Sequence, residues 1–581
     1  MKNFPDLVIF SKVSTIINKE IILYSNSYSE KSERQLLKKK LKNKKVIIAE
    51  PYRAESNQVK IDQDYLFICY KFFLKSLIKN LNTIHQTNHD RRYWEIIIGH
   101  WLRTFLATTF NRYKTLIKIK KKYNIKNVEI FDDSKFSEGI NDSFDLNNLS
   151  KNELFNFILV SSIIKEAKIF DYKYIKKNFK IMLPFQSRLK PKTNIFKNFL
   201  SHFSSDTYLS ATYLPYKADF LLKLFVNNFS TPEFEINKFS NEVKNHQFKE
   251  RNKLKIIIKN DDPFVLLISK LLKNFLPLSF IENYENFKNE ILKNKYLKKK
   301  RKTIFTSNNF GASDKHNIWL AEKVFEGSKY IVGQHGCGYL EDYDKYHRVE
   351  FRTCDKFISW GNKVFSKKIK PLFNFKMLGR NLHSKKNGKI LIVCSSTGQP
   401  TMSYDRWDLG NNIYVKTENL IKKFDKNLKK NVILKLHNNH KKDIYPQFDK
   451  FLNSQKNIVI KQNESFYRVI KKSRLVLFNR YSSGFLECLS IDFPTICLFA
   501  NKLAFIHQSN IRDYEILVEN NLIFFDEIKL ATFVNDNFDN IELWWHSERI
   551  KKIKKNFCIK YSNKCYKDYF KNFKEFSSLI S

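Results

Sequence analysis

The residues best suited to chemistry lie in one short stretch, Val332 to Tyr339, with the sequence VGQHGCGY. Three of the chain's 13 glycines, Gly333, Gly336 and Gly338, fall within six positions there. Glycine is required where backbone must take positive φ or approach a ligand closely. His335 in such a loop can take a proton from an acceptor hydroxyl, because imidazole titrates near neutral pH. Gln334, Gly336 and Gly338 form the loop around it. The plainer alternative is a tight turn holding a hydrogen-bonded histidine.

Three further constellations carry charge or hydroxyls at strand ends. Lys435, His437 and His440 follow an apolar run, and a cation with an imidazole there suits a pyrophosphate. Ordinary surface Lys and His beyond a core strand would look the same. Ser473 to Phe478 runs into Arg480, Ser482, Ser483 and Gly484, and then into a helical stretch containing Glu487. Hydroxyls and free N–H groups at a helix start form an anion site, and Glu487 one turn inside can grip ribose hydroxyls. A simple capping box, with Glu487 reaching back to free N–H groups, is the competing account. Lastly, Ser396 and Thr397 follow another apolar run in a polar turn able to cradle phosphate.

The elements that must position these groups are legible as texture. Apolar runs at 303–306, 330–332 and 356–360 alternate with helical segments, among them Asn317 to Phe325. A second series follows at 389–393, 431–436, 458–460, 475–478 and 495–498. This alternation is that of βαβ units with parallel sheets. Upstream, Val46 to Ala49 reads as a strand, Tyr65 to Leu81 and Tyr93 to Tyr113 as amphipathic helices, and Leu254 to Ile258 as a strand. The acidic, Asn-rich stretch Phe131 to Asn152 reads as a loop or insertion. The expected fold class is α/β: two Rossmann-like domains facing a cleft, with a helical N-terminal elaboration. Residues 1–380 would form the acceptor-side domain, 388–545 the donor-binding domain, and 546–581 a helical tail packing back on the first.

Composition narrows the partners. The 581 residues include 104 Lys+Arg against 58 Asp+Glu, a formal charge of +46. A basic balance suits nucleic acid, an anionic membrane surface or a phosphate-rich ligand. Lysines are spread along a chain rich in Lys, Asn, Ile and Phe, so most of the excess follows from compositional bias. The basic clusters at 38–45, 118–122, 298–302 and 551–555 are separate and match no nucleic-acid-binding signature. The eight cysteines are scattered with no C-x-x-C spacing, which favours buried thiols in a reducing compartment. No Walker loop, G-x-G-x-x-G, H-E-x-x-H or G-x-S-x-G occurs, and no Asp-x-Asp stands in a metal-binding context. Neither a cofactor nor a metal is therefore expected. No apolar run of about 18 residues spans a bilayer, and the N-terminus lacks signal-peptide features. A cytoplasmic protein, at most resting on a membrane, is the expectation.

The order of these motifs resembles the twin-Rossmann glycosyltransferase-B architecture. More closely, the chain resembles a family of bacterial transferases encoded with surface-polysaccharide genes, distantly similar to CDP-glycerol glycerophosphotransferases and capsule polysaccharide transferases. Tyr93-Trp94, Ile98 to Trp101, Thr306 to Asn308, Gly333 to Gly336, Ser359 to Gly361 and Leu378 to Arg380 carry the likeness. The resemblance implies that His335 is the base and that His437 helps hold the donor pyrophosphate. It implies that Ser482, Ser483 and Glu487 handle donor phosphates and ribose, with Arg380 on the donor side and Asn308 on the acceptor side. Two departures stand out: Cys337 and Leu340 occupy positions where the family usually has glycine.

The resulting expectation is an inverting, metal-independent transfer of a sugar, or polyol phosphate, from a nucleotide-activated donor to a saccharide or lipid-linked acceptor. Lys435, His437 and Arg480 would stabilise the leaving phosphate. Peripheral contact with anionic inner-membrane lipids would follow from the basic surface. A nucleotide-sugar epimerase or hydrolase on the same fold is the nearer alternative, and a basic nucleic-acid-binding protein the more distant one.

Overall fold

The computed structural model describes residues 5–9, 20–24, 45–49, 51, 52, 54, 56–132, 140, 142, 143, 146, 149, 150, 152–175, 206–226, 250–258, 261–311, 313–394, 410–437, 451–455, 458–499 and 503–580. Every strand pairing among them within a sheet is parallel, so the molecule is α/β. Strands β1 (Asp6–Val8), β2 (Glu20–Tyr24) and β3 (Lys45–Ala49) form a small sheet, and β4 (Glu129–Ile130) pairs with β5 (Lys173–Tyr174).

The larger sheets position the chemistry. β6 (Thr207–Ser210), β7 (Thr303–Thr306), β8 (Lys329–Gly333), β9 (Lys356–Ser359) and β10 (Ile369–Pro371) lie side by side in chain order. Two long helices cover this region, α1 (Ser56–His85) and α2 (Arg91–Lys122). Asp90 caps α2 by accepting from the Tyr93 N–H, and three lysines close its last turn, where they complement the helix dipole. Trp94, Trp101 and Phe105 are among its buried residues, at the spacing that puts i, i+3, i+4 and i+7 on one face.

The second sheet holds β11 (Lys389–Cys394), β12 (Val432–Leu436), β13 (Val459–Lys461), β14 (Ser473–Phe478), β15 (Thr495–Leu498) and β16 (Ile523–Phe524). Their spatial order is β13-β12-β11-β14-β15-β16, so the chain reverses its direction of growth between β11 and β14. That is the doubly wound dinucleotide-binding order, in which ligands sit beyond the carboxyl ends of the strands at the reversal. Alternation along each strand shows burial on both faces. Ile390, Ile392, Leu475 and Leu477 join one apolar cluster, whereas Leu391, Val476 and Phe478 join the larger cluster shared with the first sheet.

Helices Glu548–Tyr561 and Tyr569–Ile580, with the link between them, contact the first sheet and helices that flank the second. The Asn563 N–H donates to the Trp360 carbonyl at 2.6 Å, Phe576 packs edge-on against Phe305, and the Ser562 hydroxyl donates to the Leu486 carbonyl at 3.0 Å.

One sequence expectation changes. Leu254 to Ile258 is no strand. Instead Asn80 on α1 supplies the backbone partners, accepting from the Lys255 N–H at 2.7 Å and donating to its carbonyl at 3.1 Å. The stretch Phe131 to Asn152, expected as a loop or insertion, is described in part. Its described residues Phe131, Ile140, Leu146 and Leu149 are buried, and Ser143, together with Ser279, donates hydroxyl protons to Asp314 at the start of helix Asp314–Phe325. Apolar residues every few positions there outweigh the acidic composition.

Candidate active site

The glycine loop leaves the end of β8, a central strand, and is braced from within. Gln334 has no exposed surface. Its amide donates to the Gly336 carbonyl at 2.9 Å and accepts from the Trp360 N–H at 2.8 Å. Its side chain is a brace buried beneath the loop. Gly338 takes φ +95°, the left-handed region that favours glycine. Its N–H and that of Leu340 both donate to the Glu341 carboxylate, at 2.8 and 2.9 Å. Tyr481 at the end of the second sheet donates to the same carboxylate at 2.7 Å.

His335 is half-buried at the head of this loop. Burial pushes its pKa down to about 4, with the Glu350 charge opposing and Arg348 and Lys376 assisting. The ring is therefore neutral at pH 7 and able to accept a proton. Its Nδ1 lies 3.1 Å from the Tyr339 hydroxyl. Tyr213 and Phe310 flank it, with ring centroids at 5.4 and 6.3 Å. Asn308 is exposed and donates to the Tyr213 hydroxyl at 3.0 Å, which places it on the open side of the same cluster.

Two motifs 146 residues apart meet directly. The Cys337 N–H donates to the Ser483 hydroxyl at 3.0 Å. A Cβ on Gly336 would come within 2.8 Å of that same oxygen, so glycine permits the approach. Ser483 begins the helix Ser483–Ser490 and Ser482 is its N-cap, although the Ser482 side chain makes no capping bond. Ser482, Ser483 and Gly484 are all partly exposed at this helix start.

The capping box does not form. Glu487, 3% exposed, pairs with Lys376 at 2.6 Å and accepts from the Tyr467 hydroxyl at 2.6 Å. The Arg380 guanidinium lies 3.5 Å from the centre of the Tyr467 ring, which joins Arg380 to the same group. Lys376 also stands 5.7 Å from the Tyr213 ring. This lysine, absent from the sequence expectations, links Glu487 to the His335 side. Only its place three residues before Gly379 hinted at it, and nothing in that spacing encodes a partner 111 residues away.

Other expected residues fall elsewhere. The Lys435 ammonium, on a residue 6% exposed, donates to the carbonyls of Leu436 at 2.6 Å and Gln462 at 2.8 Å. These bonds tie together the ends of adjacent strands β12 and β13. His437 is exposed just past β12, its pKa lowered by partial desolvation and by Lys435. Arg480 follows β14 and is partly exposed, close enough to Cys497 to act on its thiol, as Cys337 also is. Ser396, Thr397 and His440 lie outside the described residues. All eight cysteines are free thiols and six are buried. Among the described residues no group of three or more His, Cys, Asp or Glu is placed to hold a metal ion. No helix among them is long and apolar enough to cross a membrane.

A second set of charged groups surrounds His335 from behind. Arg348 pairs with Asp344 at 3.4 Å, and Asp344 with Arg103 of α2 at 2.6 Å. Glu350 lies 4.0 Å from Arg348 and 3.9 Å from His100, whose own pKa burial lowers to about 4. Burial opposes the Glu350 charge, yet surrounding cations hold its pKa below the usual range. His100, Arg348, a backbone N–H and Arg103 lower it, in that order.

Several solved structures align loosely with parts of this chain. MurG of Acinetobacter baumannii aligns over 51% of this chain and 77% of its own, at 10% identity and TM-score 0.28. WaaG, a glycosyltransferase involved in lipopolysaccharide biosynthesis, aligns over 52% and 95%, at 9% identity and TM-score 0.27. A Listeria monocytogenes protein described as a UDP-N-acetylglucosamine 2-epimerase aligns over 54% and 85%, at 11% identity and TM-score 0.32. Superpositions this loose say nothing about the chemistry. No curated protein matches the chain. The family model for LIC12162 family transferases matches residues 8–571, and the chain belongs to that transferase family.

Proposed function

We propose that this transferase moves a sugar, or a polyol phosphate, from a nucleotide-activated donor to a hydroxyl of a saccharide or glycolipid acceptor. The observation that carries the reading is the contact between the His335 loop and the helix start at Ser483. It brings the loop that carries a neutral imidazole against a helix start bearing the hydroxyls of Ser482 and Ser483, with Lys376 acting on the same imidazole, which supports this reading.

For a sugar donor the chemistry runs in one displacement. The acceptor oxygen forms a bond to the anomeric carbon as its proton passes to His335. The bond from that carbon to the diphosphate breaks, and its electron pair leaves with the nucleoside diphosphate. Attack opposite the leaving group inverts the anomeric centre. Lys376, Arg480 and the helix N-terminus meet the developing negative charge, so in this reading the chain's own cations, rather than a metal ion, neutralise the leaving group. An imidazole of pKa about 4 is a weak base. The negative charge of a bound donor beside it raises that value and strengthens the base.

In this reading residues 1–380 serve the acceptor and residues 388–545 the donor, with Glu487 exchanging Lys376 for ribose hydroxyls. A lipid-linked acceptor would bring the basic surface against anionic lipid. The deciding experiment is His335→Ala, assayed for turnover with nucleotide-sugar donors and separately for nucleotide binding by calorimetry. Turnover should vanish with donor affinity nearly unchanged; unaltered turnover, or loss of both properties together, would overturn the assignment.

A further inference from the structure

The glycine loop is fastened at its far end to the other sheet, and the proposed reaction has made no use of that fastening. Glu341 has no exposed surface, and its two carboxylate oxygens hold different parts of the molecule. Oε2 accepts from the N–H groups of Gly338 at 2.8 Å and Leu340 at 2.9 Å. Oε1 accepts from the Tyr481 hydroxyl at 2.7 Å. Tyr481 is 8% exposed and stands between Arg480 and Ser482, on the segment joining β14 to the helix Ser483–Ser490. Its hydroxyl also lies 2.7 Å from that of Tyr514 on the helix Ile511–Glu519.

The backbone of the same stretch is held from the same side. The His507 N–H donates to the Glu341 carbonyl at 2.8 Å. The buried Asn510 amide donates to the carbonyls of Leu340 at 2.9 Å and Glu341 at 3.1 Å. The Tyr343 N–H donates to the Phe505 carbonyl at 3.0 Å, and Asp342 forms an antiparallel bridge with Ile506. Residues 340–343 thus pair with chain that follows β15 of the second sheet. His335 is carried between two anchors, β8 just before it and this pairing just after it.

A buried carboxylate is costly unless its partners are all present. Two of the three donors to Glu341 belong to the loop itself and maintain its turn. The third, Tyr481, comes from the other sheet, so it governs where the loop stands rather than what shape it has. The contact between the Cys337 N–H and Ser483 joins the same two segments, but it is only partly buried. Water can replace a hydrogen bond at such a site, whereas a fully buried partner has no substitute. Placement matters because a displacement of about 1 Å between reacting groups can cost about 10²-fold in rate.

We infer that Tyr481 and Glu341 are positioning residues, whose hydrogen bond holds the His335 loop in fixed register with the segment Arg480 to Ser483. This rests on the reading of these two segments as the acceptor and donor sides of one site.

The experiment uses full-length Tyr481→Phe, which removes one hydroxyl and keeps the ring. Amide hydrogen exchange read by mass spectrometry should speed about tenfold or more over residues 334–343, with parental rates kept in β7 and β14. Turnover should show kcat lowered about tenfold or more and KM little changed. Glu341→Gln keeps an oxygen for the two loop N–H groups and an amide beside Tyr481. It should therefore recover most of the kcat that Glu341→Ala loses, and it serves if Tyr481→Phe fails to fold. Parental exchange over 334–343, or parental kcat, in a folded variant overturns the inference. Faster exchange spread evenly through β7 and β14 also overturns it, since that marks a role in stability alone. The exchange measurement needs no turnover, so a failure of His335 as base shows separately, in His335→Ala retaining activity.

Discussion

The loop ends of the two large sheets are built on opposite principles. Beyond β8, the His335 loop rests on a lattice of buried charge: Arg103, Asp344, Arg348, Glu350 and His100 interlock behind it, and the Tyr339 hydroxyl lies 3.1 Å from the imidazole. Beyond β11, β12 and β14, the second sheet is an apolar slab. Its charged groups sit at the rim, with Lys435 on carbonyls and Glu487 on Lys376 and Tyr467. A proton-transfer group gains from surroundings that cannot reorganise, since its state is set before substrate arrives. A ligand-binding rim gains from partners that exchange easily. Under the proposed function, the difference would assign reactivity to the first region and donor contact to the second.

The comparison can be broken by variants that should separate these properties. The largest effect is on rate: His335→Ala should lose about 10²–10⁴-fold in turnover while its thermal midpoint stays within a few degrees. A collapse of stability instead would mean that the loop is a structural keystone. Next comes the slab. Leu477, 1% exposed on the strand between β11 and β15, should cost about 2–5 kcal/mol when truncated to alanine. Chemical denaturation measures this, and the pH dependence of activity in the remaining folded protein should be unchanged.

The pH response comes third. His100, His316, His335 and His347 all have pKa values lowered to about 4 by burial. The unfolded chain therefore binds protons first, and stability present above about pH 6.5 is lost as pH falls towards 4. For His316, 1% exposed, the shift amounts to roughly 3 kcal/mol. Asp344 and Glu350, with lowered pKa values, push in the same direction at still lower pH. Thermal midpoints between pH 8 and 4.5 test this, and a flat profile would contradict it. The smallest effect tests the seam between the regions. Ser483→Ala removes the acceptor of the Cys337 N–H and should cost about 1 kcal/mol, whereas Ser482→Ala, which removes no capping bond, should be nearly neutral. Equal costs would deny the seam its role.

Much of the scaffold was readable before any coordinate. The runs at 303–306, 389–393 and 475–478 are strands because β-branched and aromatic residues there are flanked by polar turns, and that pattern is local. Short edge strands such as β10 and β16, with three and two residues, carry too little pattern to be recognised. Leu254 to Ile258 misled because alternation signals a strand only where another strand is available, and here Asn80 takes that place.

The sequence by itself determined that the chain is an α/β protein, that a glycine-rich loop with a histidine follows a strand, and that a Ser-Ser-Gly turn opens a helix. These follow from local periodicity and from the few residues able to take special backbone angles. Only the tertiary structure decided which groups meet. It joined Cys337 to Ser483, turned Lys435 onto carbonyls, gave Glu487 to Lys376, and set Tyr339 against His335. Side-chain partnership across tens or hundreds of residues depends on strand order and burial, and desolvation then fixes the charge of each group. Neither quantity is encoded in the spacing of residues along the chain.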